Sequence, residues 1–156
     1  MRIFGIDPGT AITGFGVIDG KDSPTLVTAG VIRTPAKQAL ELRLEAIYAD
    51  LLELIREYRP DEIAIEQIFF ATNAKTVISV SHARGVAMLA AIHAGVAIAE
   101  YTPLQIKQAI TGYGRADKQQ IQEMVRAMLK LETVPKPDDA ADALAVAICH
   151  SQVLTA

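Results

Sequence analysis

The chain has 156 residues, 51% of them hydrophobic, and a formal net charge of −3. This length suits a single domain, and the composition excludes a disordered or low-complexity protein. The single cysteine excludes an internal disulfide and predicts a cytoplasmic location, and no apolar stretch reaches the roughly 18–20 residues that span a bilayer.

The first sixty residues predict three strands and one helix. The strands are predicted at residues 3–7, 11–19 and 25–34. Short turns such as Pro8-Gly9 separate them, so we expect consecutive strands to pair antiparallel. Apolar residues then recur at spacings of three and four over residues 38–58, which predicts an amphipathic helix that ends before Pro60.

The remaining residues predict two strands and four helices. The strands are predicted at 62–67 and 96–101, and the helices at 73–94, 104–110, 117–131 and 139–153. Strands that are joined through helices enter a sheet parallel to their neighbours. We therefore predict an α/β fold in which helices flank a mixed five-stranded sheet, with residues 1–156 in a single domain.

Positive charge is concentrated in the middle of the chain. Residues 67–131 contain seven Lys or Arg and three acidic residues, a net charge of +4, whereas the remainder carries −7. A basic segment in an acidic protein can bind a polyanion. Ordinary solvated helix faces produce the same pattern, so charge alone leaves both interpretations open.

Four acidic residues are difficult to explain as structural residues alone. Asp7 and Glu66 follow apolar strand residues, where an unpaired buried carboxylate is costly. Asp139 and Asp142 lie three residues apart at the start of the last helix, so they share one helix face. The small residues that follow allow this helix to approach the sheet closely, which would bring the four carboxylates together.

Taken singly, each acid also has a structural explanation. Asp7 is typical of the turn at Pro8-Gly9, and Glu66 could pair with a cation on a covering helix. Asp138 and Asp139 could cap the last helix. Taken together, carboxylates about 4 Å apart repel by about 1–4 kcal/mol, and their motifs contain no Lys or Arg. An all-oxygen ligand set therefore predicts a hard divalent cation, Mg²⁺ or Mn²⁺, and two such ions suit phosphodiester hydrolysis.

Three segments resemble the signature motifs of the RuvC family of bacterial Holliday-junction resolvases. They are Gly5-Ile6-Asp7-Pro8-Gly9-Thr10, Ala64-Ile65-Glu66-Gln67 and Asp139-Ala140-Ala141-Asp142-Ala143-Leu144-Ala145. Their order and spacing match the family over essentially the whole chain. The resemblance implies a ribonuclease H-like fold and an endodeoxyribonuclease that resolves four-way DNA junctions, in recombination and repair, by symmetric metal-dependent nicking of two strands.

The resemblance also implies roles for individual residues and partners. Catalytic and metal-binding roles fall to Asp7, Glu66, Asp139 and Asp142, with two Mg²⁺ per active site and Mn²⁺ as a possible substitute. The family forms a homodimer and works with a branch-migration helicase complex of the RuvA and RuvB type. The weakly charged helix at 73–94 is the predicted dimer face, unless it is buried within one subunit. Asp138 lies outside the motif and has no assigned role.

Six residues are predicted to contact DNA. Lys107 and Lys118 match family lysines near the active site, and the resemblance favours Phe69 as an apolar wedge at the opened junction centre. The other three, in the basic segment and its glycine-flanked loop, are Arg84, Tyr113 and Arg115. Solvated positions for the two lysines and a core position for Phe69 are the competing interpretations.

Three other functions compete with a resolvase. An ATP-binding protein of the actin and sugar-kinase kind would share Asp7-Pro8-Gly9-Thr10, but it needs two lobes, and 156 residues provide one. A related ribonuclease H-like nuclease acting on structured RNA would share the first motif and match the other two less well. A catalytically inert junction-binding module is disfavoured by the intact acidic set.

Overall fold

The computed structural model describes residues 1–67 and 74–156, which form a mixed five-stranded sheet with five helices. The strands are β1 (Arg2–Asp7), β2 (Ile12–Asp19), β3 (Thr25–Arg33), β4 (Glu62–Glu66) and β5 (Ala97–Tyr101). The helices are α1 (Leu40–Tyr58), α2 (Ala74–His93), α3 (Pro103–Thr111), α4 (Lys118–Met128) and α5 (Asp138–Thr155). None of these helices combines the length and the hydropathy that crossing a bilayer requires.

The sheet has the strand order β3-β2-β1-β4-β5. β1, β2 and β3 pair antiparallel in sequence, whereas β4 runs parallel to β1 and β5 runs parallel to β4. The predicted mixed sheet is therefore confirmed. α4 departs most from its predicted bounds: it ends at Met128 rather than at 131, because Lys130 adopts a left-handed backbone (φ 54°) that closes the helix.

Side-chain alternation along β1 and β4 decides which face of the sheet each acid occupies. Ile3 packs in the core cluster that includes α5, whereas Ile6 packs in the cluster that includes α1 and α2. Because successive strand residues point to opposite faces, Asp7 shares the α5 face with Ile3. On β4, Glu66 likewise shares the α5 face with Ala64, which belongs to the same cluster as Ile3.

Glycines let α5 lie directly against the sheet. A Cβ atom on Gly5 would lie 2.1 Å from the carbonyl oxygen of Ala143, and one on Gly14 would lie 2.0 Å from that of Asp139. No side chain fits in either space. The predicted close approach of this helix is confirmed, and glycines on the strands contribute to it as much as the small residues on the helix.

The second half of α5 is joined to β4 and β5 by polar contacts. His150 is buried, and its Nδ1 lies 2.6 Å from the hydroxyl of Tyr101 while its Nε2 lies 2.7 Å from Glu62 Oε2. Helix, β4 and β5 are thus tied together by one buried polar network. Together with the glycine contacts, this network fixes where the first turn of α5 meets the ends of β1 and β4.

Candidate active site

Three separate elements bring the predicted acids to one place. Asp7 ends β1, Glu66 ends β4, and Asp139 and Asp142 lie in the first turns of α5. One carboxylate oxygen from each of the three aspartates lies within 4.8 Å of the others. Glu66 joins this group through a hydrogen bond between its side chain and that of Asp7. The predicted convergence of the four carboxylates is therefore observed.

The electrostatics of this cluster are those of acids that lack sufficient counter-charge. Burial raises the pKa of Asp7 to about 8, and the charges of Glu66, Asp142 and Asp139 add to the shift. Burial, followed by the charge of Asp142, also raises the pKa of Glu66. Desolvation and like charge both disfavour the ionised form, so the site attracts either protons or a cation.

A lysine from α4 approaches the cluster, although the acidic motifs themselves contain no cation. Lys118 Nζ lies 3.4 Å from Asp142 Oδ2 and 3.7 Å from Asp138 Oδ2. Burial raises the pKa of Asp142 even though Lys118 acts to lower it, so the lysine offsets only part of the cost. The charges of Lys107 and Lys118 also act to lower the pKa of Glu66, against the larger effect of burial.

The alternative that Asp138 and Asp139 cap α5 is wrong. The residue at the N-cap position is Pro137, and no side chain caps the helix. Asp138 is the first helical residue and pairs with Lys136 at 3.3 Å, and this hydrogen bond holds the pKa of Asp138 below its usual value. Asp139 is therefore not used as a cap, and its carboxylate lies with that of Asp142 near Asp7.

Open grooves flank the acids on two sides. One cavity of about 270 Å³ between α3, α4 and α5 carries Glu66 and Asp142 at its edge, with Lys107 and Lys118 among its lining residues. A second, wider groove of about 430 Å³ is lined by Asp139 and by residues from the turn after β1 and the first turns of α2. The acidic cluster is therefore accessible to an extended substrate from either side.

The remaining predicted DNA contacts lie in different surroundings. Arg115 is exposed, and Tyr113 is 46% exposed with its hydroxyl donating to Gln120 Oε1 at 2.8 Å. Arg84 is engaged in an ion pair with Glu100 on β5. Phe69 lies outside the described residues. The roles of all four in DNA binding stay predictions.

Sequence reasoning missed one polar group on the strand next to β4, on the opposite face of the sheet from the acids. Glu100 lies next to Tyr101, whose backbone pairs with Glu66, and accepts a hydrogen bond from Gln67 Nε2 at 3.2 Å. The signal was present in the sequence, because Glu100 interrupts an apolar strand in the same way as Glu66 does.

The donor set fits a hard divalent cation. The aspartates of the cluster offer only carboxylate oxygens, and within the described ranges they are the group of acidic, His or Cys residues whose geometry could hold a metal ion. Oxygen ligands of this kind bind Mg²⁺, Mn²⁺ or Ca²⁺ rather than softer metals. A bound cation would also relieve the repulsion that raises the pKa values of Asp7 and Glu66.

The chain is similar to one family along nearly its whole length. A family model described as "Crossover junction endodeoxyribonuclease RuvC" matches residues 3–150. A protein of that description from Rubrobacter xylanophilus is 57% identical over 150 residues, covering 96% of this chain and 84% of that protein. One from Desulforamulus reducens is 54% identical over 155 residues, covering 97% of this chain and 94% of that protein.

Solved structures show the same similarity. A structure of Thermus thermophilus RuvC is 36% identical, with a TM-score of 0.92, and the match covers 99% of this chain and 96% of that one. A second, of the same protein in complex with Holliday junction substrate, is 36% identical with a TM-score of 0.94 and covers 99% and 94%. The ribonuclease H-like fold that the motifs implied is thereby confirmed.

Proposed function

The chain belongs to the RuvC family and is a crossover junction endodeoxyribonuclease that resolves Holliday junctions, and we propose that it does so by symmetric, metal-dependent nicking of two strands. The observation that carries this proposal is the meeting of four carboxylates from β1, β4 and α5 between two open grooves. One nuclease domain over residues 1–156 is part of the proposal, and the single sheet supports it.

The four acids are proposed to hold two divalent ions, Mg²⁺ or Mn²⁺. Asp7 contacts acids from both other elements, so its carboxylate is the proposed shared ligand, with Glu66 on one side and Asp139 and Asp142 on the other. When bound, the ions supply activation of the attacking water and charge stabilisation of the departing 3′ oxygen. The protein's part is to hold the carboxylates fixed and half-buried, where their charge is least screened by solvent.

The basic residues around the acids are proposed to hold the DNA backbone. Lys107 and Lys118 line the cavity beside Glu66 and Asp142, which is where the phosphates of a strand entering the site would lie. Arg115 and Tyr113, on the loop before α4, extend this surface outward. Contacts to phosphate release counterions, so junction affinity should fall as the salt concentration rises. A flat salt response would contradict the proposed basic surface.

Phe69 is proposed to act as a wedge at the junction centre. It follows the β4 strand that carries Glu66, and the family resemblance supports the role. Phe69→Ala should therefore lower cleavage of a four-way junction more than it lowers the melting temperature. A large fall in melting temperature would instead assign Phe69 to the core.

A homodimer is proposed to form through α2. Three large apolar residues on this helix are strongly exposed: Ile78 is 58% exposed, Leu89 is 48% exposed and Ile92 is 65% exposed. Gly85 lies among them at helical spacing, and a Cβ there would meet nothing within 4 Å, so a second helix could approach closely. A two-fold dimer suits a substrate with two equivalent strands.

A positive charge introduced on the apolar face of α2 tests the dimer. Leu89→Arg should produce a monomer in sedimentation analysis and uncouple the two nicks of one junction. The matched control is Val153→Arg, because Val153 on α5 is 54% exposed and lies away from α2. A dimer that survives Leu89→Arg and dissociates with Val153→Arg would move the proposed interface to α5.

The central experiment compares a four-way junction with a linear duplex. Each strand is labelled in turn, and cleavage is followed with Mg²⁺, with Mn²⁺ and with EDTA. We expect paired nicks in two opposed strands of the junction, none in the duplex and none in EDTA. Equal cleavage of the duplex, cleavage in EDTA, or preference for a structured RNA of the same shape would each contradict the proposal.

Two further parts of the proposal concern the location of the protein in the cell and its protein partners. A cytoplasmic location is proposed because the one cysteine, Cys149, is a free and buried thiol. Action beside a branch-migration complex of the RuvA and RuvB type is proposed from the family resemblance. Co-sedimentation of the protein with such a complex on a junction tests the second point, and sedimentation of the two as separate species would contradict it.

A further inference from the structure

A chain of polar contacts links α2 to the end of the strand that carries Glu66. Arg84 on α2 donates from Nη2 to Glu100 Oε1, and Glu100 Oε2 accepts from Gln67 Nε2 at 3.2 Å. Each oxygen of the Glu100 carboxylate thus has its own donor. One donor comes from the helix and the other from the residue that directly follows Glu66.

Gln67 is held a second time through its backbone. Its N–H donates to the carbonyl oxygen of Tyr101 at 2.8 Å, which extends the pairing of β4 with β5 one residue beyond Glu66. Backbone and side chain of Gln67 are therefore both tied to β5. Glu66 is the last residue of β4, so strand pairing fixes the backbone before it and the hydrogen bonds of Gln67 fix the backbone after it. The direction of the Glu66 side chain depends on both.

The surroundings of Arg84 favour a role inside the subunit over a role on the DNA surface. The side chains of Arg84 and Glu100 are 23% and 29% exposed, so their ion pair is partly shielded from solvent. Arg84 Nε is buried and has no hydrogen-bond partner in the described part of the chain. The guanidinium is therefore turned toward Glu100 and the protein interior rather than toward the surface.

We propose that Arg84 and Glu100 are positioning residues for the metal site. They hold Gln67 and thereby aim the Glu66 carboxylate at Asp7. This inference rests on the proposed function, in which Glu66 is a metal ligand. Residues that orient a metal ligand without touching the metal change metal affinity or activity by about 10–100-fold when they are altered.

The test uses Glu100→Gln, which keeps the size of the side chain and removes the ion pair. Mn²⁺ binding to the DNA-free protein and single-turnover cleavage of a saturating junction are measured together with the melting temperature. We expect Mn²⁺ affinity and cleavage rate each to fall about 10–100-fold, with junction affinity unchanged. Glu123→Gln is the matched control, because Glu123 pairs with Arg126 at 3.0 Å in an exposed position on α4, and it should change none of these quantities.

Arg84→Ala separates the positioning role from direct DNA contact. If Arg84 is a positioning residue, Arg84→Ala should lower the cleavage rate and leave the salt dependence of junction binding unchanged. Arg84→Lys should retain most of the cleavage rate. As a phosphate contact, its loss should weaken binding and reduce the salt slope by about one. That second result, with normal Mn²⁺ affinity, would overturn the inference.

The outcomes also separate this inference from the proposed function. If the wild-type protein cleaves no junction, the proposed function fails, while the Mn²⁺ measurements still decide whether Glu100 positions a metal ligand. If the wild type cleaves and Glu100→Gln binds Mn²⁺ and cleaves equally well, the inference alone fails. The inference also fails if Glu100→Gln lowers the cleavage rate and the melting temperature but leaves the Mn²⁺ affinity of the folded protein unchanged.

Discussion

The two ends of β1 differ in how their charged side chains are paired. Where β1 begins, Arg2 donates from Nε and Nη2 to the two carboxylate oxygens of Asp19 at 2.8 Å, and its backbone N–H donates to Asp61 at 2.6 Å. Where the same strand ends, Asp7 meets a second strand carboxylate and two more on α5, in a half-buried site. One end is built from matched partners and the other from groups that repel each other.

The difference shows that pairing, rather than residue type, sets the behaviour of an acid in this fold. The hydrogen bond from Arg2 holds the pKa of Asp19 below its usual value. Burial and neighbouring carboxylates raise the pKa of Asp7 to about 8. The paired end contributes stability, whereas the acidic end costs stability in the metal-free protein, and a cation bound there as proposed would offset that cost.

Loss of Asp7 should break this comparison most strongly. Asp7→Asn removes the proposed shared metal ligand, so cleavage should fall by at least about 10²–10³-fold, the loss typical when one electrostatic stabiliser is removed. The metal-free fold should be as stable as the wild type or more so, because the variant relieves repulsion. Single-turnover cleavage and urea denaturation check both points. Unchanged cleavage with weaker folding would make Asp7 a structural residue.

The acidic end should also dominate the pH dependence of stability. The pKa of Asp7 is about 8 in the folded protein against an ordinary 3.8, so between these values the folded state retains a proton that the unfolded state has released. The free energy of unfolding in EDTA should therefore fall as the pH rises from about 4 to 8, by at most about 1.4 kcal/mol per pH unit. Asp7→Asn should flatten this profile, and an identical profile would contradict the assignment.

A change in the polar network that joins α5 to β5 should affect stability alone. Tyr101→Phe removes the hydroxyl that lies 2.6 Å from the buried His150 Nδ1. Leaving one buried polar group without its partner costs about 1–3 kcal/mol. We expect that loss in urea denaturation, with the cleavage rate of the folded protein unchanged. A cleavage defect larger than the stability loss would mean that this network also positions the acidic site.

The smallest expected change in stability comes from the lysine beside the acids. The Lys118 side chain is 57% exposed, so its pair with Asp142 contributes less than about 1 kcal/mol. Lys118→Met should therefore barely change stability yet lower cleavage, because the lysine is proposed to contact phosphate. Lys136→Met is the control: Lys136 pairs with Asp138 only on the exposed side and should leave cleavage unchanged. Equal effects of the two variants would exclude a special role for Lys118.

The sequence and its motifs predicted the four acids and the two lysines beside them, Lys107 and Lys118, but not the contacts of Glu100. Asp7 and Glu66 were identified because a carboxylate in an apolar strand stands out against its immediate neighbours. Glu100 meets Gln67 from β4 and Arg84 from α2, and a sequence without coordinates does not show which of these elements pack together. The capping interpretation of Asp138 and Asp139 was wrong because the N-cap position falls on Pro137, so that both aspartates lie inside the helix.

By itself the sequence determined the order of strands and helices, the positions of the acids and the family motifs, because these depend on local periodicity and on neighbouring residues. Only the tertiary structure decided that the acids meet. Alternation on β1 and β4 turns Asp7 and Glu66 to one face, and Gly5 and Gly14 admit α5 against it. Distances between distant segments follow from how closely their backbones pack, and packing is a property of the whole fold.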